Sequence, residues 1–439
     1  MAVPLRIQAM GWFALYALLA LAPLLLMLTT PVPAKGGFWW ESGIALGFGA
    51  LGLLLGQFLL TARLRQPTAP FGIDIIYYFH RYAASALVLL VLLHPLFLLA
   101  DDPARWQRLL PADWALVSGW LALVVLILLI LTSVWRRTLH LHYNHWRILH
   151  LLLALTAVAL VATHLLAIAY YSAIPVLAFA LGLLLLILVA LIVTVRLIRP
   201  WRLVARPWQL VENRTERGES RTLVLKPVGH DGMQFTPGQF AWLSLGHSPF
   251  TMQEHPFSFS SAPAADGRVC FTIKALGDFT ATLANYPAGT PACVDGPYGI
   301  FSCSHYPQAP GFVFIAGGIG VAPVISMLEG LLAANDKRQH VLFAAHSEFE
   351  RIPRREDITA LAAKLNLTSV PVLESPPAQW QGETGWISRD ILQRHLPENR
   401  ADYEYFICGP RPMIVNMEKY LRELGVPLRR IHSELFDMA

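Results

Sequence analysis

The first 199 residues are sparsely charged and filled with runs of Leu, Val and Ala long enough to cross a bilayer, which takes about 20 apolar residues per helix. Six such runs lie near 10–30, 42–62, 74–100, 113–135, 146–170 and 174–198. Beyond Arg199 the pattern changes to short alternating segments, turn residues and scattered charge, as in globular domains. At 55% hydrophobic and 14% charged over 439 residues, the chain is too apolar for an ordinary soluble enzyme of its size. It divides into a membrane half and a water-soluble half. The first run resembles a signal peptide, but its core from Gly11 to Thr30 exceeds a typical h-region, so a retained span is expected.

Arginines set the expected orientation. Arg6, then Arg63 and Arg65, then Arg136, Arg137 and Arg147, then Arg196, Arg199, Arg202 and Arg206 flank alternate span ends. The opposite ends carry Lys35 or the mixed stretch Asp101, Asp102, Arg105, Arg108. Positive-inside bias then puts both termini and the soluble half in the cytoplasm. The net charge of +5 gathers at that membrane face, which argues for topogenesis and against nucleic-acid binding. All four cysteines, Cys270, Cys293, Cys303 and Cys408, fall in the soluble half, which argues against a disulfide framework or a cysteine-ligated metal.

Four histidines stand inside the spans in two pairs with equal spacing: His80 with His94, and His150 with His164. Fourteen residues return to nearly the same helix face and separate the paired rings by roughly 21 Å at about 1.5 Å per residue. The third and fifth spans run in the same direction, so His80 is level with His150 and His94 with His164. Imidazole is an axial ligand for haem iron, and intramembrane polar groups are costly enough to require a function. Arg81 and Arg147 are placed for the propionates of an inner haem. His140, His142 and His145 fall in a loop and are expected to be interfacial, not ligands.

This pattern resembles the ferric reductase-like transmembrane family, which includes the NADPH oxidases and ferric-chelate reductases. The resemblance implies two b-type haems held by His80, His94, His150 and His164. Bis-imidazole iron has no open position, so such haems pass electrons without binding substrate at the metal.

From Trp208 to about Tyr306, short β-branched and aromatic runs broken by Gly and Pro predict an antiparallel β-barrel. Within it, Pro237-Gly238-Gln239-Phe240 precedes His255-Pro256-Phe257-Ser258-Phe259-Ser260-Ser261, followed by Lys274-Ala275-Leu276-Gly277-Asp278-Phe279-Thr280 and Asp295-Gly296-Pro297-Tyr298-Gly299. An aromatic face, a hydroxyl and a proline-fixed backbone suit a flat polar-edged ring. These stretches resemble the FAD site of the ferredoxin–NADP reductase superfamily, in the His-Pro-Phe form of NADPH oxidases. By that resemblance Phe257 packs on the isoalloxazine and Ser258 hydrogen-bonds near its N5. His255 replaces the usual arginine near the phosphates, while Lys274, Gly277 and Thr280 meet the pyrophosphate. Phe240 belongs to the same site.

From Gly311 the pattern alternates strand and helix, as in an α/β nucleotide-binding unit. The apolar run Phe312–Ala316 leads into Gly317-Gly318-Ile319-Gly320-Val321-Ala322-Pro323, a glycine loop before a helix that suits a pyrophosphate. Gly317, Gly318, Gly320 and Pro323 match the reductases' pyridine-nucleotide motif. After the strand Val341–Ala345 come His346-Ser347-Glu348 and then Arg351, Arg354 and Arg355. Ser347 and Arg351 suit the 2′-phosphate of NADPH, whereas Glu348 suits the free hydroxyl of NADH; NADPH is expected, with NADH possible. Cys408-Gly409-Pro410 resembles the element beside the nicotinamide. Glu434-Leu435-Phe436 resembles the tail whose aromatic covers the flavin, although Asp437-Met438-Ala439 follow it here. Ser258, Cys408 and Phe436 are the candidate catalytic residues.

The expected organisation is a six-helix transmembrane haem bundle over 1–200, an antiparallel β-barrel FAD domain over 201–308 and an α/β NAD(P)-binding domain over 309–439. The expected function is electron transfer from cytoplasmic NAD(P)H through FAD and two haems to a small extracytoplasmic acceptor, oxygen or a ferric chelate, in a bacterial inner membrane. Animal NADPH oxidases carry a further histidine one turn after the outer ligand, where this chain has Leu98, and the first outer loop offers Lys35 and Glu41 in place of an arginine. Asp101 and Asp102 are candidates for attracting ferric complexes. No EF-hand loop is visible, so activity without calcium is expected. Two alternatives remain open: a proton or ion transporter with a nucleotide-sensing half, and a flavin reductase on a passive anchor. A red protein with low-spin b-haem spectra separates the first, and unaffected electron flow in His94→Ala and His164→Ala would favour the second.

Overall fold

A computed structural model describes residues 5–30, 36–64, 71–104, 113–169, 171 and 173–435. Lys35, Arg65, Arg105, Arg108 and the tail from Phe436 onward lie outside the described residues, as does the side chain of Arg6. The chain divides into two compact units, Met1–Arg199 and Pro200–Ala439.

The first unit holds six helices long and apolar enough to span a membrane: α1 (Leu5–Thr29), α2 (Phe38–Thr61), α3 (Ile73–Asp101), α4 (Trp114–Val134), α5 (Tyr143–Ile168) and α6 (Pro175–Val193). Their ends follow local chemistry. Asp113 caps α4 by accepting from the Ala115 N–H at 3.1 Å, and Pro175 opens α6 where its missing N–H costs nothing. Large apolar side chains such as Phe13, Leu89, Phe179 and Leu186 face outward and exposed, as a lipid-facing surface demands.

Packing pairs α2 with α3 and α4 with α5. Small residues let the helices approach closely. On α2, a Cβ at Gly52 would fall 1.7 Å from the Ala20 carbonyl oxygen of α1, and one at Gly43 would fall 2.9 Å from Leu98 of α3. Helix α2 therefore carries one glycine pair, Gly52 and Gly56, towards α1 and another, Gly43 and Gly47, towards α3.

The second unit contains two six-stranded sheets. The first is antiparallel, in the order β4-β3-β6-β1-β2-β5, built from β1 (Trp208–Glu216), β2 (Ser220–Pro227), β3 (Phe240–Leu245), β4 (His255–Ser258), β5 (Val269–Lys274) and β6 (Pro291–Tyr298). Its inward face buries Leu210, Leu223, Leu243, Phe259 and Phe271. The barrel expected from the sequence is present as this sheet; its two edges approach at one bridge, Phe259 to Phe271, and a closed ladder is not seen.

The second sheet is parallel, ordered β10-β9-β8-β7-β11-β12. Its strands are β7 (Gly311–Gly317), β8 (Gln339–His346), β9 (Leu367–Leu373), β10 (Glu383–Thr384), β11 (Glu404–Gly409) and β12 (Ile431–Leu435), with helices α7 (Val321–Ala333), α8 (Arg355–Lys364), α9 (Arg389–His395) and α10 (Arg411–Glu423). β7 and β11 are buried along their whole length, as strands covered on both faces must be. Strand order reverses between β7 and β11, and ligands of such sheets bind outside the carboxyl ends at that reversal. The glycine loop after β7 and Cys408-Gly409-Pro410 at the end of β11 both lie there.

Candidate functional site

In the membrane unit the two histidine-bearing helices bring the rings together level by level. His80 and His150 have ring centres 6.5 Å apart, and His94 and His164 6.3 Å apart. A metal–imidazole bond of about 2 Å on each side, plus the radius of each ring, places two axial rings about 6 Å apart, so either gap fits one iron.

The second nitrogen of each ring has a partner on a neighbouring helix. His94 Nδ1 lies 2.7 Å from the Gly43 carbonyl oxygen, and His164 Nδ1 2.5 Å from that of Ala115. A carbonyl only accepts, so these rings carry their proton on Nδ1 and leave Nε2 free to ligate. His150 Nδ1 lies 3.1 Å from the Ser133 hydroxyl, and the Gln57 side-chain amide sits 2.5 Å from His80 Nδ1. Pro95, directly after His94, removes one bond of the helical ladder there.

Between α2, α3, α4 and α5 a pocket opens at the His94–His164 level. Its wall is mostly apolar, with the two imidazoles, Trp120 and Tyr171 among its lining, and it includes Leu98. Apolar walls and two facing imidazoles are the donor set and surroundings a haem takes.

At the other level, Arg81 lies over the Tyr78 ring, and Arg136 and Arg147 lie over Tyr143. His142 and His145 have ring centres 5.6 Å apart and His140 is exposed. Among the described residues no group of three or more His, Cys, Asp or Glu is arranged to hold a metal.

In the second unit, sheet register gathers the flavin candidates. Phe240 pairs with Ser258 on β4 and with Tyr298 on β6. The Ser258 hydroxyl is buried without a hydrogen-bond partner among the described residues, an orphan that the polar edge of a flavin suits. Gly299, at φ +93°, has room for no side chain, because a Cβ there would press on Phe240 at 3.1 Å and reach within 3.7 Å of Glu434 Oε1. Across the parallel sheet Cys408 pairs with Ala316 on β7 and with Glu434 on β12. Ser258, Phe240, Glu434 and Cys408 thus converge. Burial pushes the Cys408 thiol well up, and the Glu434 charge adds to it, so this sulfur is a neutral thiol.

Other candidates have more local duties. His255 stacks on Phe279, centres 4.0 Å apart and nearly parallel, while Phe257 lies 6.2 Å from the same ring; Pro256 sits between them on β4. The Thr280 hydroxyl accepts from the Leu276 and Gly277 N–H groups at 2.9 Å each, so it closes its own turn. Lys274, at the end of β5, is close enough to His346 to help burial in holding that histidine at about 4.

In the glycine loop, only Gly318 faces open space, at φ +57°. Cβ atoms at Gly317 and Gly320 would meet Met413 Sδ at 2.6 Å and the Cys408 carbonyl oxygen at 2.1 Å, so these two glycines serve packing. Gly409 is equally packed, against Met413; Pro323 is buried and Pro410 exposed. Ser347 is half-buried and its carbonyl accepts from Ser375.

The three arginines beyond β8 already have partners. Arg351 meets Glu219 at 3.2 Å, and Arg355 meets Glu350 at 3.3 Å. Arg354 bonds Glu329 at 3.2 Å, Asp357 at 2.6 Å and the Ser260 carbonyl. With the Ser326 hydroxyl, which donates to Ser261 O at 2.6 Å and accepts from Gly238 N at 3.2 Å, Arg354 ties the two sheets together. Sequence reasoning missed Gln57, Ser133, Gly47, Gly119, Ser326 and Glu329, none of which belongs to a motif.

Fold and site define an integral membrane oxidoreductase with FAD- and NAD-binding domains. Residues 46–161 match the ferric reductase like transmembrane component family, 222–302 an FAD-binding domain and 314–419 an oxidoreductase NAD-binding domain. Together the three matches give the chain a ferric reductase-like, NADPH oxidase-type architecture, in which a membrane component is joined to a ferredoxin–NADP reductase-type half.

The reductase half is 32% identical over 216 residues to the probable dihydroorotate dehydrogenase B (NAD(+)), electron transfer subunit, of Methanopyrus kandleri, covering 49% of this chain and 74% of that one. It is 27% identical over 210 residues to the anthranilate 1,2-dioxygenase electron transfer component of Acinetobacter baylyi, covering 46% of this chain and 59% of the relative's length. A flavohemoglobin from Malassezia yamatoensis with bound FAD and heme is similar in fold alone, at TM-score 0.50 and 17% identity, covering 91% of this chain and 99% of that one.

Proposed function

We propose that this chain is a transmembrane NAD(P)H oxidoreductase that delivers electrons from cytoplasmic NAD(P)H, by way of FAD and two b-type haems, to a small acceptor outside a bacterial inner membrane. The observation that carries this reading is the pair of facing imidazoles at each of two levels, 6.3 and 6.5 Å apart. When bound, the flavin supplies conversion of a hydride's electron pair into single electrons, and the haem irons supply one-electron carriers.

The residues have separate duties. His80 with His150, and His94 with His164, would hold the two irons, and the Gly43 and Ala115 carbonyls keep Nε2 of His94 and His164 unprotonated. Phe257 and Phe240 line the flavin site, and the Ser258 hydroxyl donates to the ring's polar edge. Lys274, Gly277 and the glycine loop take the phosphates. Cys408 and Glu434 face the nicotinamide, and Phe436 covers the flavin until nicotinamide arrives. The domain limits are 1–200, 201–308 and 309–439, and NADPH is the donor, read from Ser347 and Arg351.

Outside the membrane the acceptor is oxygen, reduced to superoxide by outer-sphere transfer, or a ferric chelate. The test is a sealed-vesicle assay with NAD(P)H on the dehydrogenase side only. Cytochrome c reduction blocked by superoxide dismutase identifies oxygen, and direct ferric-chelate reduction identifies iron. Vesicles that oxidise NAD(P)H without reducing anything on the opposite side would contradict the reading.

A further inference from the structure

The two ligands at the His94–His164 level are held by one construction used twice. Helix α2 presents Gly43 and, one turn on, Gly47; helix α4 presents Ala115 and, one turn on, Gly119. The first residue of each couple lends its carbonyl to the ring's Nδ1, at 2.7 Å for His94 and 2.5 Å for His164. The second lies bare beneath the same ring. A Cβ at Gly47 would come 2.9 Å from both Nδ1 and Cε1 of His94, and one at Gly119 would come 2.8 Å from the same atoms of His164.

Small residues four apart in a membrane usually let two backbones touch. Here each couple admits an imidazole edge, and the ring planes come out at 87° to each other. The His80–His150 level is built differently. Side chains of Gln57 and Ser133 hold those rings, and the planes meet at 59°.

We propose that Gly47 and Gly119 are positioning residues that fix a perpendicular pair of axial imidazoles at the His94–His164 level. This rests on the haem reading above. Perpendicular axial rings leave two iron d orbitals nearly equal in energy, which gives low-spin ferric iron a strongly anisotropic resonance; rings nearer to coplanar split those orbitals and give a more ordinary rhombic signal. An added methyl at either glycine drives its ring off the carbonyl and turns its plane.

The test is electron paramagnetic resonance of the oxidised, purified holoprotein, with redox titration and FAD content measured alongside. The wild type should show two low-spin haems, one strongly anisotropic. Gly47→Ala and Gly119→Ala should each shift or weaken that signal and move one of the two redox components, leaving the other haem and the flavin intact. Gly49→Ala, whose Cβ meets only Leu90 at an ordinary 3.4 Å, should leave both signals in place. The alanine at 119 repeats the test on a separate helix pair should the alanine at 47 fail to assemble. Two wild-type haems with unchanged signals in both variants would overturn the proposal, as would equal damage to both haems. A wild type without two haems would instead bring down the reading beneath it.

Discussion

At the scale of single residues, the controlling atoms are those one bond removed from the chemistry. A ligand imidazole that donates Nδ1–H to an oxygen becomes a stronger base, and that partner helps set the metal's potential. Ser133→Ala removes the oxygen facing His150 at 3.1 Å. One of two haem components should then titrate at a higher potential while the other stays, and identical titrations would contradict the ligand assignment. In the reductase half, Ser258→Ala deletes a buried hydroxyl with no partner among the described residues. A hydrogen bond realised only with bound flavin is worth about 1–2 kcal/mol. NAD(P)H-driven flavin reduction should therefore slow about tenfold at unchanged FAD content, in a stopped-flow trace.

At the scale of elements, close approach is bought by small residues in the membrane and by a few buried polar ties outside it. Arg354 is the principal tie, its side chain only 9% exposed and bonded to Glu329, Asp357 and the Ser260 carbonyl. Arg354→Ala should destabilise the second unit by about 2–3 kcal/mol, less than a fully orphaned buried charge costs because both carboxylates keep access to water. Thermal release of FAD at a lower temperature is the readout, and an unmoved transition would contradict it. The spans, the histidine spacing and the glycine loop after β7 were legible in the sequence because each obeys a short-range period. The partners of the rings were not. A backbone carbonyl has no sequence signature, and Ser133 and Gln57 acquire meaning only when α4 lies on α5 and α2 on α3. The division of labour in the glycine loop was equally hidden: Gly317 and Gly320 are required by Met413 and by the Cys408 carbonyl, which arrive from more than eighty residues away.

At the scale of the whole molecule, the two units answer to different solvents, and acid acts on the aqueous one. Burial holds His340 and His346 at about 4, against an ordinary value of 6.5. His340 also accepts the Phe312 N–H on Nδ1 at 3.3 Å, which it can do only while that nitrogen is unprotonated. Above about pH 6.5 both histidines are neutral folded or unfolded. Below it the unfolded chain takes up protons that the folded chain refuses, so stability falls as pH drops towards 4, by up to about 1.4 kcal/mol per pH unit for each group. His305 and His432 shift in the same direction through burial. The Arg394 hydrogen bond keeps Glu383 below its ordinary range, so that carboxylate adds its loss only at lower pH. The melting temperature of the flavin-bearing unit should decline from pH 6.5 to 4.5, and His340→Gln should flatten the slope; a flat wild-type profile would contradict this.

Transmembrane electron transfer by this chain requires two irons in the membrane half, each between imidazoles from α3 and α5. Counting haem per polypeptide in the purified, fully loaded protein, with a spectrum recorded before and after NAD(P)H, tests that most directly. The prediction is two low-spin b-type haems per chain, both reduced by the nucleotide, with His94→Ala or His164→Ala losing one and keeping the other. A colourless protein, or one haem per chain at full loading, would contradict it.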